Sequence, residues 1–242
     1  MDGEMENKIF RVGLLVPSSN TTIEGDFHRN LPEDVEVITS RMFLEHTTKN
    51  AEIYMIEESL PDAIRMIRTA KPHVTVFGCT SAGSLFGQGY DASILQDIRK
   101  ETGTEVVSIL SALSEEFALL GAMKIAVFTP YIEELNETIR ASLEEDGFDV
   151  LSIDGMGIVD NTRIGSLRGE EILAFARDKI NHAHLEKADC LFFSCTNLPA
   201  IRALPLLQEN FPKTSIITSN LAVIRAVHRR REKTKAKAAV TG

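Results

Sequence analysis

Cys79 and Cys195 are the residues of this chain best suited to chemistry. Each closes an apolar run and is followed by threonine and a polar, turn-like stretch: "VTVFGCTSAGSLFG" spans residues 74–87 and "DCLFFSCTNLPA" residues 189–200. A thiolate attacks electrophilic carbon, and a thiol delivers a proton that its thiolate can take back. A lone cysteine at a strand end is most often a small buried hydrophobe. The same placement twice, with threonine next each time, outweighs that plainer reading. Thr80, Ser81, Thr196 and Asn197 then supply hydroxyl, amide and backbone N–H groups around the two sulfurs. Cys190, inside "DCLFF" and without a counterpart, reads as core.

The elements that must hold these residues follow from periodicity. Strand-like runs occur at "FRVGLLV", "VEVITSR", "HVTVFG", "EVVSIL", "KIAVFT", "FDVLSI", "DCLFFS" and "TSIITS". Between them lie helical patterns, as in Ile53, Ile56, Leu60, Ile64 and Ile67, or Leu135, Ile139 and Leu143. Strands alternating with helices predict parallel sheets, and continuous apolar runs predict strands covered on both faces. The order also repeats. "RVGLLVP" ending at Pro17 is echoed by "KIAVFTP" ending at Pro130, an offset of 113, and Cys79 is echoed by Cys195 at an offset of 116. The expected fold is α/β with two similar lobes, each a parallel sheet of about four strands flanked by helices. Residues 1–112 form the first lobe, with a C-terminal helix from about 220 packed back on it. Residues 113–219 form the second, and 231–242 form a basic tail without fixed structure.

Ligands of open parallel sheets bind beyond the carboxyl ends of the strands, where both cysteines lie. Two lobes facing one another would set the thiols on opposite sides of one cleft. Asn197, with Pro199 in the first turn, is expected to cap the next helix, and Thr80 or Ser81 to do the same after Cys79. Helix N-termini lower a thiol's pKa and cradle carboxylates. No Lys or Arg occurs in "LLVPSSNTTIEG", "VFGCTSAGSLFGQG" or "LFFSCTNLPAI". An anionic substrate would therefore rest on N–H groups and neutral side chains. Asn20, after the first strand, either binds a carboxylate or caps the following helix. Tyr131, after the equivalent strand, points to the same cleft or packs at a helix start, and Asn161 in "GIVDNTRIGSL" either reaches in or is an ordinary turn residue.

Composition narrows the class. The 242 residues carry a net charge of −9, and the tail "RRREKTKAKAAVTG" holds six basic residues against one acid, leaving −14 for the rest. That balance disfavours nucleic acid as a partner. The opening "MDGEMENKIF" has acids where a signal peptide would carry bases, and no apolar run of about 18 residues occurs. Three cysteines without disulfide or zinc spacing fit a reducing compartment. A cytoplasmic protein away from membranes is expected. There is no dinucleotide fingerprint, phosphate loop, nucleophile elbow or clustered histidine, so neither cofactor nor metal is expected.

With these motifs the chain resembles the aspartate/glutamate racemase superfamily, and within it the branch of maleate cis-trans isomerases and arylmalonate decarboxylases. "VPSSNTT" looks like that branch's N-terminal signature, and "FGCTSAG" and "SCTNLPA" like its two cysteine motifs. The resemblance implies a pseudo-symmetric two-lobed fold, a site between the lobes, no cofactor and a homodimer. It places site residues at Asn20, Cys79, Tyr131, Asn161 and Cys195. Arylmalonate decarboxylases of the familiar kind keep only the second cysteine, and the racemases open with Asp-Ser where this chain has "PSSN". Both contrasts favour an isomerase of a small dicarboxylate such as maleate, acting through a succinyl-cysteine adduct. Racemisation of aspartate, glutamate or a hydantoin, arylmalonate-type decarboxylation, and a catalytically silent dicarboxylate-binding protein are the alternatives.

Overall fold

The computed structural model describes residues 9–86 and 89–241. Residues 1–8 of the expected first lobe and residue 242 of the tail lie outside the described residues. The eight apolar runs form strands. β1 (Phe10–Pro17), β2 (Val35–Met42), β3 (Val74–Phe77) and β4 (Glu105–Ser108) make one parallel sheet in the order β2-β1-β3-β4. β5 (Lys124–Thr129), β6 (Asp149–Gly155), β7 (Cys190–Phe193) and β8 (Ser215–Thr218) make a second in the order β6-β5-β7-β8. The registers correspond as well: Val12 pairs with Val37 and Val74, as Ile125 pairs with Val150 and Cys190. These are two copies of one α/β unit.

Helices flank the sheets: α1 (Ile23–Asn30), α2 (Lys49–Tyr54), α3 (Leu60–Ile67), α4 (Thr80–Gly83), α5 (Tyr90–Thr102) and α6 (Ile109–Leu120), then α7 (Glu133–Glu145), α8 (Asn161–Gly165), α9 (Gly169–Lys179), α10 (His182–Lys187), α11 (Ala200–Asn210) and α12 (Ser219–Thr241). Coverage on both faces explains why β3 and β7 are buried along their whole length. In the second sheet Phe128 and Phe193 stack with ring centroids 5.1 Å apart. The helical pattern at 53–67 is interrupted by a π-turn at Met55–Ser59, which inserts an extra residue into the turn between α2 and α3. "EVVSIL" ends its strand at Ser108. There the Ser108 hydroxyl accepts the Ser111 N–H at 3.0 Å and starts α6, so Ile109 and Leu110 pack as helix.

α12 lies against α6 and α1, with Ala222, Val223, Ala226 and Val227 buried in a core that spans both sheets. Its arginines pair with acids of the same chain. Arg225 and Arg229 meet Glu116, and Arg229 and Arg230 meet Glu115. Arg231, only 8% exposed, grips Asp34 with one guanidinium nitrogen on both carboxylate oxygens. The expectation of an unstructured tail from residue 231 is therefore corrected: the helix runs on to Thr241. Charge matched to an acidic surface, which a count of basic residues does not reveal, holds its start in place. No described helix is long and apolar enough to cross a membrane.

Arg231 and Lys235 hold the Asp34 carboxyl down at about 2. Being depressed, it stabilises the fold fully above its unfolded value near 4, and that contribution fades as pH falls through about 2. Arg231→Ala, with Lys235 still in place, should lower the unfolding free energy by about 2 kcal/mol in urea titrations at pH 7. A shift under about 0.5 kcal/mol would show the pair to be ornamental.

Candidate active site

The carboxyl ends of β1, β3, β5 and β7 converge. Past β3, Gly78 brings the backbone so near β1 that an added Cβ would lie 2.9 Å from the Leu15 carbonyl oxygen. Cys79 follows in an extended conformation, at the N-terminus of the four-residue α4. Past β7, Cys195 has φ +105, a region that L-residues rarely adopt and that native proteins keep mainly at functional positions. Past β5, Tyr131 is held by its N–H on the Thr129 hydroxyl at 3.1 Å and is 2% exposed.

One cavity brings together Cys79, Ser81, Tyr131 and Cys195 with Asn20, Asn161, Thr196 and Asn197. Thr80 is the expected site residue that turns away, its hydroxyl donating to Ser219 Oγ at 3.1 Å. Asn20 holds the start of α1 and lines the cavity. Its Oδ1 accepts the N–H groups of Thr22 and Ile23, and its Nδ2 donates across to Thr196 Oγ1 at 2.9 Å. Asn197 is not the helix cap expected of it. α11 begins only at Ala200, and the Asn197 amide instead accepts from Thr21 N at 2.8 Å and donates to the Asn161 carbonyl at 2.6 Å. Long-range partners won this side chain because the local helix starts three residues later. Asn161 donates to Ser19 Oγ at 2.8 Å. Across the top, His46 bridges Asp160 in antiparallel fashion and Thr47 N–H donates to the Val159 carbonyl. The cavity is small, about 10 Å³ of water-accessible space, room for roughly one water.

Burial dominates the electrostatics. It pushes Cys195 up to about 11, against hydrogen bonds from the Tyr131 hydroxyl and the N–H groups of Asn197 and Leu198. Cys79 is driven well above the usual thiol range by burial and by the neighbouring Glu52 carboxylate, against the Ala82 N–H and the Ser81 hydroxyl. The expectation that helix N-termini would lower both thiols is thus outweighed: the N–H groups are present, but desolvation is larger. Both sulfurs rest as thiols. Tyr131 is raised by the same burial.

The profile of the arylmalonate decarboxylases matches residues 12–241. The chain belongs to the arylmalonate decarboxylase family. The maleate isomerase of Nocardia farcinica is 28% identical to it over 213 residues, 84% of this chain and 83% of that one. The arylmalonate decarboxylase of Bordetella bronchiseptica is 23% identical over 198 residues, 82% and 81% of the two chains. A solved Nocardia farcinica maleate cis-trans isomerase, a cysteine-to-serine mutant with a covalently bound succinylcysteine intermediate, superposes with a TM-score of 0.85. It is 25% identical and covers 92% of this chain and 93% of that one.

This family member also has cavity residues that the motifs did not reveal: Pro17, Leu44, Thr47 and Glu52. Glu52 carried one signal. It stands three residues before Met55 at the head of the stripe that continues through Leu60, Ala63, Ile64 and Ile67, all buried.

Gly165 closes the back of the site. A methyl there would overlap the Thr21 hydroxyl and lie 2.9 Å from Asn197 Oδ1. Gly165→Ala should push these loops apart and destabilise the protein by about 1–3 kcal/mol in thermal or urea melts. Wild-type stability in that variant would mean the contact is slack.

Proposed function

We propose that the protein is a cofactor-independent isomerase that converts maleate to fumarate through a covalent succinyl-cysteine. The observation that carries the reading is a buried cavity holding two strand-end thiols with no Lys, Arg or His among its lining residues. The succinylcysteine in the Nocardia farcinica structure supports it. Cys79 adds as thiolate to one olefinic carbon, and Cys195 gives a proton to the other. The remaining single bond rotates, Cys195 takes a proton back, and elimination releases the trans acid. Covalent attachment replaces rotation about a double bond with rotation about a single one. N–H groups near Thr80 and Thr196, with Asn20, Asn161 and Tyr131, hold the carboxylates and the enolate charge that develops between the two steps. The three cysteines are free thiols, which suits a cytoplasmic setting, and a homodimer belongs to the same proposal.

The test is proton NMR in D₂O with maleate, both enantiomers of aspartate and glutamate, hydantoins and arylmalonates. Growth of a fumarate singlet as maleate disappears is the expected result. Exchange of a Cα proton without new product, or loss of carboxyl from an arylmalonate, would replace the isomerase by a racemase or a decarboxylase. Cys79→Ser and Cys195→Ala should each lose about 10³-fold in rate. Cys190→Ala, at a thiol buried in β7 and pushed up to about 12, should stay within about twofold. Equal loss in the Cys190 variant would sink the assignment of roles.

A further inference from the structure

The reaction above leaves one buried acid unused and one proton without an acceptor. Cys79 must lose its proton to attack, and neither Asn20, Asn161 nor a threonine hydroxyl is a base. Glu52 is 0% exposed and lines the same cavity as Cys79, Tyr131 and Cys195. Its Oε1 accepts a hydrogen bond from the Ser81 hydroxyl, and Ser81 Oγ lies 3.9 Å from Cys79 Sγ. Its other oxygen, equally buried, has no partner among the described residues. A carboxyl so placed is expensive to desolvate, and among the described residues no ion pair holds Glu52 there. The titratable groups that face it are Cys79 beyond β3, Tyr131 beyond β5 and Cys195 beyond β7. On its own helix Lys49 sits 5.3 Å from the centre of the Phe86 ring, and Glu57 and Glu58 in the following turn are exposed.

We propose that Glu52, acting through the Ser81 hydroxyl, is the base that takes the proton of Cys79 as its sulfur attacks. The proton on Cys79 passes to Ser81 Oγ while the Ser81 proton passes to the Glu52 carboxylate. The sulfur electron pair forms the C–S bond, and the π pair of the olefin moves to the neighbouring carbon, which takes the Cys195 proton. In the return, the Cys195 thiolate removes a proton from that carbon, the C–S pair goes back to sulfur, and Cys79 recovers its proton from Glu52 by the same route. A free Cys79 thiolate beside an ionised Glu52 would put two negative charges in one unsolvated cavity; the transfer keeps one. Burial pushes Glu52 up to about 8, against the hydrogen bond from Ser81, so the carboxylate is a base poised near working pH. The base acts only when ionised, so attack should quicken as pH rises through about 8 and then level off.

The proposal rests on the isomerase reading only for the identity of the electrophile, and the test separates the two. Cys190→Ala with Cys195→Ser leaves Cys79 as the single thiol among the three in the sequence. Its alkylation by acrylamide, a neutral Michael acceptor, is followed by intact mass from pH 6 to 10. The rate should rise with a midpoint near 8, and adding Glu52→Gln or Ser81→Ala should move the midpoint above 9 and slow the reaction at pH 8 by about 10²-fold. Ser81→Ala leaves Glu52 in place, so it carries the test if the Glu52 variant does not fold. A structural role alone would change the rate equally at all pH values. A midpoint unmoved in either folded variant, or a rate that falls as pH rises through 8, overturns the base. With maleate, no fumarate from the Cys190→Ala protein, which keeps both Cys79 and Cys195, beside a midpoint near 8 for acrylamide in the single-thiol protein defeats the isomerase reading and supports the base. An adduct whose midpoint Glu52→Gln does not move supports the isomerase and defeats the base.

Discussion

Desolvation is the interaction on which the site depends. Two thiols and a phenol sit between the sheets without any Lys, Arg or His beside them, so each prefers its neutral form. A site of this kind holds at most one negative charge, on Glu52, and passes it from group to group as bonds form. Neutral donors suit that task, because amides, hydroxyls and N–H groups stabilise an anion when it appears and tolerate its absence. A fixed lysine would instead hold a thiolate permanently and bind a dianion tightly in its ground state, which raises affinity more than rate.

Duplication puts equivalent strand ends on the two sides of the cavity, and the differences between the copies make them unequal. Gly78 precedes Cys79, whereas Ser194 precedes Cys195. Cys79 is extended and leans toward Ser81 and Glu52; Cys195 is twisted to φ +105, where the Asn197 N–H reaches its sulfur at 3.3 Å. One sulfur thus sits beside an acid and a hydroxyl, the other beside a phenol and two N–H groups. The proposed division into addition at one sulfur and proton transfer at the other needs that asymmetry, since a site with two identical thiols would have no preferred nucleophile.

Sheet architecture was legible because it is written in local pattern. Strands such as "CLFF", buried on both faces, cannot be much other than apolar, and the repeat of Pro17 by Pro130 and Cys79 by Cys195 reports a duplicated unit. The convergence of Asn20, Tyr131 and Asn161 on the cysteines could be anticipated from strand ends and from the resemblance. What escaped depends on contacts between distant segments. Asn197 is 176 residues from Thr21, and nothing in "CTNLPA" tells that it bonds there rather than capping α11. Glu52 stands at the head of the buried stripe of Met55, Leu60 and Ile64, yet helical periodicity alone does not tell that a carboxyl at that position is buried rather than turned to solvent. The tail misled for the opposite reason. Its arginines look like a solvated charge run until Asp34, Glu115 and Glu116 are brought against them.

These long-range bonds also set which way the two halves can part. On one side α12 spans both, with apolar residues in the shared core and arginines on Glu115, Glu116 and Asp34. Along the floor, Thr196 Oγ1 donates to the Gly78 carbonyl at 3.1 Å and Asn220 ties Asp26 to the Thr196 carbonyl. Among the described residues the roof has the bridge of His46 with Asp160, the bonds of Thr47 to Ile158 and Val159 and that of Asn161 to Ser19, beside the exposed Phe43 and Val159. A space for about one water cannot hold the diacid of the proposed reaction, so that reading requires the lobes to separate somewhere. Resistance is least at the roof, where few main-chain bonds near solvent oppose it. Stability and access are thereby assigned to different faces of one molecule: α12 and the floor keep the lobes in register, and the roof shuts water out around two thiols and a phenol that rest neutral.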